Sequence, residues 1–223
     1  MEEKLEKLKN IVEKELSCSA HDLEHSKRVY STCLKLAQNE SIDLDVLKAA
    51  ALLHDIARVE EDNDKTGNTD HAILGAKKAE KILKELDFSE KQIQEITHCI
   101  LSHRFRNNQK PQTKEAQILF DADKLDSCGA LSIARGFIWV GRNNAKLYTE
   151  VNIDEYIKEN LGGEINGKIK DKTKHSVQIE YENKTKRLGD KLYTEKAKEI
   201  YKERIGFCEE FLKRLEKEIK GEA

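Results

Sequence analysis

Apolar residues recur every three or four positions along most of the chain, which is the spacing of one face of an α-helix. In the segment 23–37, for example, Val29, Cys33 and Ala37 fall on one stripe. Similar stripes predict helices over 43–56, 71–83, 89–103 and 118–134, and a long amphipathic helix over 201–219. Strand-like alternation is scarce and the chain contains a single proline. The pattern therefore predicts an all-α fold, a helical bundle with a C-terminal helical extension.

Two of the predicted helices carry recognisable starting residues. Asp43 precedes one apolar stripe and is a predicted N-cap. Ser89 is followed three residues later by Gln92, which is the pattern of a capping box.

The helical periodicity weakens between Asn143 and Tyr181, where glycines are typical of turns. We therefore divide the chain into four predicted parts. They are an N-terminal helix over 1–20, a core over 21–142, a loop-rich excursion or lid over 143–180, and C-terminal helices over 181–223 packed on the core. The spacing of the last helix also fits coiled-coil positions a and d, which leaves a homodimer as an alternative.

Composition narrows the class of protein. The 223 residues include 40 basic and 42 acidic side chains, a formal net charge of −2, which argues against a nucleic-acid partner. The apolar run 49–53 is too short to span a membrane, and the first residues carry no apolar signal region. The five cysteines show no CxxC spacing, so we interpret them mainly as reduced core residues of a cytoplasmic protein.

Histidines and aspartates mark the candidate chemistry. His54 and Asp55 directly follow the apolar run, and burying both is costly unless a partner such as a divalent cation compensates the charge. His21, His25 and Arg28 are spaced to share one helix face. Asp123 and Asp126 likewise share a face of an otherwise apolar helix. Each feature alone also fits an ordinary polar surface.

Taken together and in order, these residues resemble a known family. His25, the pair His54-Asp55, and Asp123 resemble the HD-domain superfamily of metal-dependent phosphohydrolases. The surrounding strings resemble its small stand-alone bacterial and archaeal branch: HDLEHSKRV (21–29), AALLHDIAR (50–58), HAILGAKKA (71–79), ILSH (100–103) and ILFDADKLDSCGALSIAR (118–135). The resemblance extends more weakly to 190–218 and does not cover 143–180.

The resemblance implies a metal site and leaves several roles open. Its metal ligands would be His25, His54, Asp55 and Asp123. Imidazole and carboxylate ligands suit Mn²⁺, Mg²⁺, Ni²⁺, Fe²⁺ or Zn²⁺, of which we favour Mn²⁺. We expect one tightly bound ion.

The resemblance leaves the roles of further residues open. Three roles stay open for His71 and His103. They contact phosphate or shuttle protons, they hold a second metal ion, or they make structural contacts only. Asp55 and Asp126 are further candidates for catalysis. Three cations that neighbour the ligands are candidates for binding substrate phosphates: Arg28, Arg58 and Lys124. His98 and His175 are interpreted as non-catalytic.

The implied function is hydrolysis of a small phosphorylated substrate, most simply a nucleotide, with release of phosphate or pyrophosphate. A cyclic-nucleotide or dinucleotide phosphodiesterase is the alternative among enzymes. A catalytically silent module that senses nucleotides is the alternative from another class.

Overall fold

A computed structural model describes residues 1–16, 23–104, 109–165 and 167–222. Within these ranges the secondary structure is helical and contains no strand, which confirms the predicted all-α class. Cys18 and His21 lie outside the described residues. The chain divides into two compact units, Met1–Asp123 and Lys124–Ala223, so the division falls inside the segment 21–142 that the sequence predicted as one core.

The described residues form a series of helices of unequal length. In chain order they are α1 (Glu2–Glu15), α2 (Leu23–Leu36), α3 (Leu44–Leu53), α4 (Arg58–Asn63), α5 (His71–Glu85), α6 (Glu90–Ser102), α7 (Lys114–Asp126), α8 (Ala130–Arg142), α9 (Ile153–Asn160), α10 (Val177–Asn183) and α11 (Glu195–Lys220). Short 3₁₀ turns occur at Lys172–Lys174, Thr185–Arg187 and Gly189–Lys191.

Helix α3 is the centre of the first unit and packs against α1, α2 and α6. Its last five residues, 49–53, are all buried, because a short helix that is apolar on every side gains most by being surrounded. Helix α5 packs on α6 and α4 beside this centre. The packing places the end of α3, where His54 and Asp55 follow, in the interior of the unit.

The predicted caps are confirmed. Asp43 accepts hydrogen bonds from the backbone N–H groups of Asp45 and Val46 at the start of α3. Ser89 and Gln92 form the reciprocal capping box of α6. Asp70 caps α5 in the same way as Asp43 caps α3, so His71 is fixed as the first residue of that helix.

The predicted continuous helix over 118–134 was wrong. Helix α7 ends at Asp126 and α8 begins at Ala130. Gly129 separates them with φ 88° and ψ −165°, a backbone conformation that is essentially restricted to glycine and incompatible with a helix.

The second unit packs around two small apolar clusters. One contains Tyr156, Ile157, Leu161 and Ile179, with Ile153 and Ile169 against it. The other joins α8, α10 and α11 through Ile133, Tyr181 and Cys208, with Phe137, Ile205, Phe211 and Leu212 against it. The segment predicted as loop-rich, 143–180, thus contains helix α9 and contributes side chains to a core of its own.

The described cysteines are part of the protein interior. The thiols of Cys33, Cys99, Cys128 and Cys208 are free and buried, as the interpretation of cysteines as core residues predicted.

Among the described residues, every helix is too short or too polar to cross a lipid bilayer.

Candidate metal centre

His54 and Asp55 lie at the end of α3, where the backbone leaves the helix. The His54 side chain is fully buried and Asp55 nearly so. The Nδ1 atom of His54 lies 2.8 Å from the carbonyl oxygen of Ala51, one turn back. Since a carbonyl can only accept, Nδ1 carries the proton and donates it. The lone pair of His54 is therefore on Nε2, which faces the interior of the site.

The first group of ligand atoms combines three helices. His25 Nε2, from α2, lies 3.2 Å from His54 Nε2 and 3.6 Å from Asp55 Oδ2. Asp123, from α7, places its Oδ1 atom 3.3 Å from His25 Nε2. The structure therefore brings together all four residues that the sequence proposed as metal ligands.

A second group meets the other oxygen of Asp55. His71 Nε2 lies 3.2 Å and His103 Nε2 3.6 Å from Asp55 Oδ1. The two Nε2 atoms are 3.1 Å apart. The two sets, His25–His54–Asp55 and Asp55–His71–His103, each offer ligand atoms within 4.8 Å of one another. Asp55 belongs to both.

The outer nitrogens of the second group are also occupied. His103 Nδ1 donates to the carbonyl oxygen of Ile100, and His71 Nδ1 lies 2.7 Å from Oε2 of Glu61 on α4. Such outer partners orient an imidazole and select the tautomer that leaves Nε2 free as a ligand. Glu61 was missed by the sequence analysis because an acidic residue in a polar connection carries no distinguishing local pattern.

Burial and charge set the protonation of the site. Burial lowers the pKa of His54 and of His71, each to about 4, against the opposing effect of Asp55. Burial alone would raise the pKa of Asp55, but His54, His103 and His71 around it hold that pKa well below its usual value. At neutral pH the imidazoles of His54 and His71 are therefore neutral and the carboxylate of Asp55 is ionised, the protonation states in which these side chains bind metal ions.

The donor set fits a divalent cation. The carboxylate of Asp55 is buried among imidazoles, of which His54 and His71 are neutral at pH 7. A buried negative charge is costly, and a cation between the ligand atoms removes that cost. Nitrogen and oxygen ligands without a thiolate are typical of sites for Mn²⁺, Fe²⁺, Ni²⁺, Mg²⁺ or Zn²⁺.

The remaining candidates for catalysis and phosphate binding are not part of the two ligand sets. Arg58 Nη1 lies 2.8 Å from Glu61 Oε2 and its Nε lies 3.4 Å from Asp62 Oδ1, so its guanidinium is engaged by acids of α4. Asp126 is buried in the second unit, where Arg135 Nη1 donates to its Oδ2 atom at 3.1 Å. Arg28 is half-buried on α2, one turn beyond His25, and Lys124 directly follows Asp123 on α7.

The chain is similar in sequence to known proteins. The sequence model of the family described as HD domain matches residues 22–128. YpgQ of Bacillus subtilis (strain 168) is 27% identical over 207 residues, which are 91% of this chain and 86% of that protein.

Solved structures are similar over nearly the whole chain. The crystal structure of an HD-superfamily hydrolase from Bacillus thuringiensis is similar with a TM-score of 0.73 at 26% identity, covering 98% of each chain. The crystal structure of Bacillus subtilis YpgQ in complex with ADP has a TM-score of 0.71 at 24% identity, covering 97% of this chain and 95% of that one. At 24% identity, the similarity to the structure of YpgQ shows that the two chains share a fold.

Proposed function

Since this chain belongs to the HD-domain superfamily, we propose that it is a divalent-metal-dependent phosphohydrolase that acts on a nucleotide. The observation that carries the proposal is the position of Asp55, whose two carboxylate oxygens face two separate sets of buried imidazoles. A buried carboxylate arranged in this way has little structural value without cations, because among the described residues both of its oxygens face imidazoles and no lysine or arginine is described as its ion-pair partner.

We assign the residues of the two sets to metal binding. His25, His54, Asp55 and Asp123 hold one cation. The second set, Asp55, His71 and His103, favours a second cation over the single ion that the sequence predicted, because both Nε2 atoms point at the same oxygen of Asp55. Mn²⁺ is the ion we favour for a site of mixed nitrogen and oxygen ligands. A bound divalent cation polarises a phosphoryl oxygen and lowers the pKa of the attacking water.

Hydrolysis transfers a phosphoryl group to water. The water oxygen forms a bond to phosphorus, the bond from phosphorus to the leaving oxygen breaks, and a proton from the water ends on the leaving oxygen. Arg28 and Lys124 are the cations of this chain that we assign to the substrate phosphates, since each neighbours a candidate metal ligand in the chain. Arg58 is not assigned this role, because its guanidinium is engaged by Glu61. Arg28 and Lys124 both compensate negative charge on the transferred group.

A nucleotide substrate is supported by the relative YpgQ, which has been crystallised with ADP. A cyclic-nucleotide or dinucleotide phosphodiesterase is the alternative among enzymes. The alternative from another class is a catalytically silent sensor, which binds a nucleotide without hydrolysing it. The lid predicted over 143–180 stays a prediction.

A substrate screen separates these functions. The purified full chain, supplied with Mn²⁺, is incubated with nucleoside mono-, di- and triphosphates, cyclic nucleotides and dinucleotides, and released phosphate, pyrophosphate and nucleotide products are quantified. We expect phosphate or pyrophosphate from at least one linear nucleotide, and none from an Asp55→Asn variant. Turnover restricted to cyclic nucleotides or dinucleotides supports the phosphodiesterase. Tight nucleotide binding without turnover supports the sensor.

A further inference from the structure

Glu61 on α4 contacts three different side chains with its two carboxylate oxygens. Oε2 lies 2.7 Å from His71 Nδ1 and 2.8 Å from Arg58 Nη1. Oε1 accepts a hydrogen bond from Arg104 Nη1 at 2.6 Å. The Glu61 side chain is only 16% exposed, so all of these contacts lie largely out of water, where they are strongest.

The contact with His71 decides which nitrogen of that ring is free. His71 Nδ1 is within reach of two groups with opposite demands: the carboxylate of Glu61, which only accepts, and Arg58 Nη1 at 3.1 Å, which only donates. When Nδ1 donates to Glu61, the lone pair is on Nε2, which faces Asp55 and His103. When Nδ1 accepts from Arg58, Nε2 carries the proton and cannot bind a cation.

Glu61 is held in place from both sides. Arg104 directly follows His103 in the chain, and its Nη1 atom also lies 3.0 Å from Asp70 Oδ2. Asp70 is the N-cap of α5, the helix whose first residue is His71. The carboxylate of Glu61 therefore contacts His71 directly. It also binds Arg104, the residue that follows His103, and so connects the segments that carry both histidines of the second set.

We propose that Glu61 is the positioning residue of the second cation: it fixes His71 as the tautomer with a free Nε2 and, through Arg104, aligns His103 beside it. The proposal rests on the metal site of the proposed function. Glu61 itself does not touch the cation or the substrate. Removing an outer partner of this kind weakens metal binding by about tenfold to a hundredfold.

The test measures metal binding, independently of turnover. Wild-type protein and the variants Glu61→Ala and Glu61→Gln are freed of metal with a chelator and titrated with Zn²⁺ by calorimetry. In parallel, protein labelled with ¹⁵N in its histidines is examined by NMR with Zn²⁺ bound, since the ring nitrogen shifts report which nitrogen carries a proton. Glu60→Gln is the matched control, because Glu60 is the neighbouring acid of α4 and contacts Lys78 instead of the site.

We expect two Zn²⁺ ions in the wild type, with a protonated Nδ1 and a metal-bound Nε2 in His71. Glu61→Ala should weaken only the second ion, by about tenfold to a hundredfold, and change the His71 signals. Glu61→Gln keeps an oxygen acceptor and should recover most of the affinity, and Glu60→Gln should match the wild type.

Three results would overturn the proposal. They are unchanged second-ion affinity in Glu61→Ala, equal losses in Glu61→Ala and Glu61→Gln, and a wild type whose His71 stays outside the bound ions. The first two leave Glu61 with an ion-pair role only. Normal binding of two ions without release of phosphate from any nucleotide overturns the proposed function and leaves the role of Glu61 intact.

Discussion

The carboxylate of Asp55 and the imidazole of His71 meet at 3.2 Å, from Oδ1 to Nε2, although α4 and a polar connection separate them in the chain. The other oxygen of Asp55, Oδ2, lies 3.6 Å from His25 Nε2. A single side chain is therefore common to both sets of candidate ligands, whereas each histidine belongs to one set.

This relationship predicts unequal effects of ligand substitutions. Asp55→Asn should remove all tightly bound metal and all phosphate release, because both sets lose a charged ligand. His71→Ala should remove one ion and His25→Ala the other. Elemental analysis after dialysis gives the stoichiometry, and circular dichroism checks that the helices remain. If the wild type binds only one ion and His71→Ala still binds it, the site holds a single ion, as the sequence predicted.

Arg28 should contribute to substrate binding and transition-state stabilisation without affecting metal content. Arg28→Ala is expected to lower kcat/KM for a nucleotide by about tenfold to a thousandfold, which is the effect of losing one charged phosphate contact. Lys124→Ala should act in the same direction. Lys27→Ala is the control, because Lys27 is the exposed neighbour of Arg28 and pairs with Glu24. Equal kinetics of Arg28→Ala and Lys27→Ala would make Arg28 a surface cation.

The metal-free protein should lose stability as the pH falls from 7 to 5. The pKa values of His54 and His71 are about 4 in the folded protein, against about 6.5 in an unfolded chain. Between these values the unfolded chain binds more protons, so the free energy of unfolding decreases as the pH is lowered. Asp55 contributes little in this window, because it is ionised in both states.

Urea unfolding at pH 7 and pH 5 after removal of metal measures the effect, which should be about 2 to 4 kcal/mol for the two histidines together. In a His54→Gln variant the difference between the two pH values should shrink, since one of the two histidines no longer titrates. An equal pH dependence in the variant and the wild type would assign the effect to other groups.

Gly129 should be intolerant of a side chain for two reasons. Its φ of 88° is unfavourable for any other residue, and a Cβ atom there would lie 3.2 to 3.3 Å from side-chain carbons of Arg204. Gly129→Ala is therefore expected to lower the free energy of unfolding by about 1 to 3 kcal/mol. Gly141→Ala is the matched control on α8, with no neighbour within 4 Å, and should be neutral or stabilise by up to about 1 kcal/mol. Thermal or urea unfolding distinguishes the two, and similar effects of both substitutions would contradict the strained role of Gly129.

Much of the fold could be predicted from the sequence because its determinants are local. The apolar spacing within each helix, the N-cap Asp43 and the capping box of Ser89 involve residues within one or two turns of each other, so their consequences can be derived without knowing the rest of the chain. The break at Gly129 was missed because apolar periodicity continues across it, and only the backbone conformation reveals that the helix ends there.

The candidate site divides in the same way. The sequence by itself determined which residues were candidate ligands, since His54 and Asp55 end a buried helix and His25 and Asp123 stand in motifs that can be recognised locally. Only the tertiary structure decided that Asp55 faces two sets of imidazoles, that Arg58 is engaged by Glu61, and that Glu61 lies against His71. These relationships join residues on different helices, and their distances are set by how α2, α3, α4, α5 and α6 pack, which no local pattern specifies.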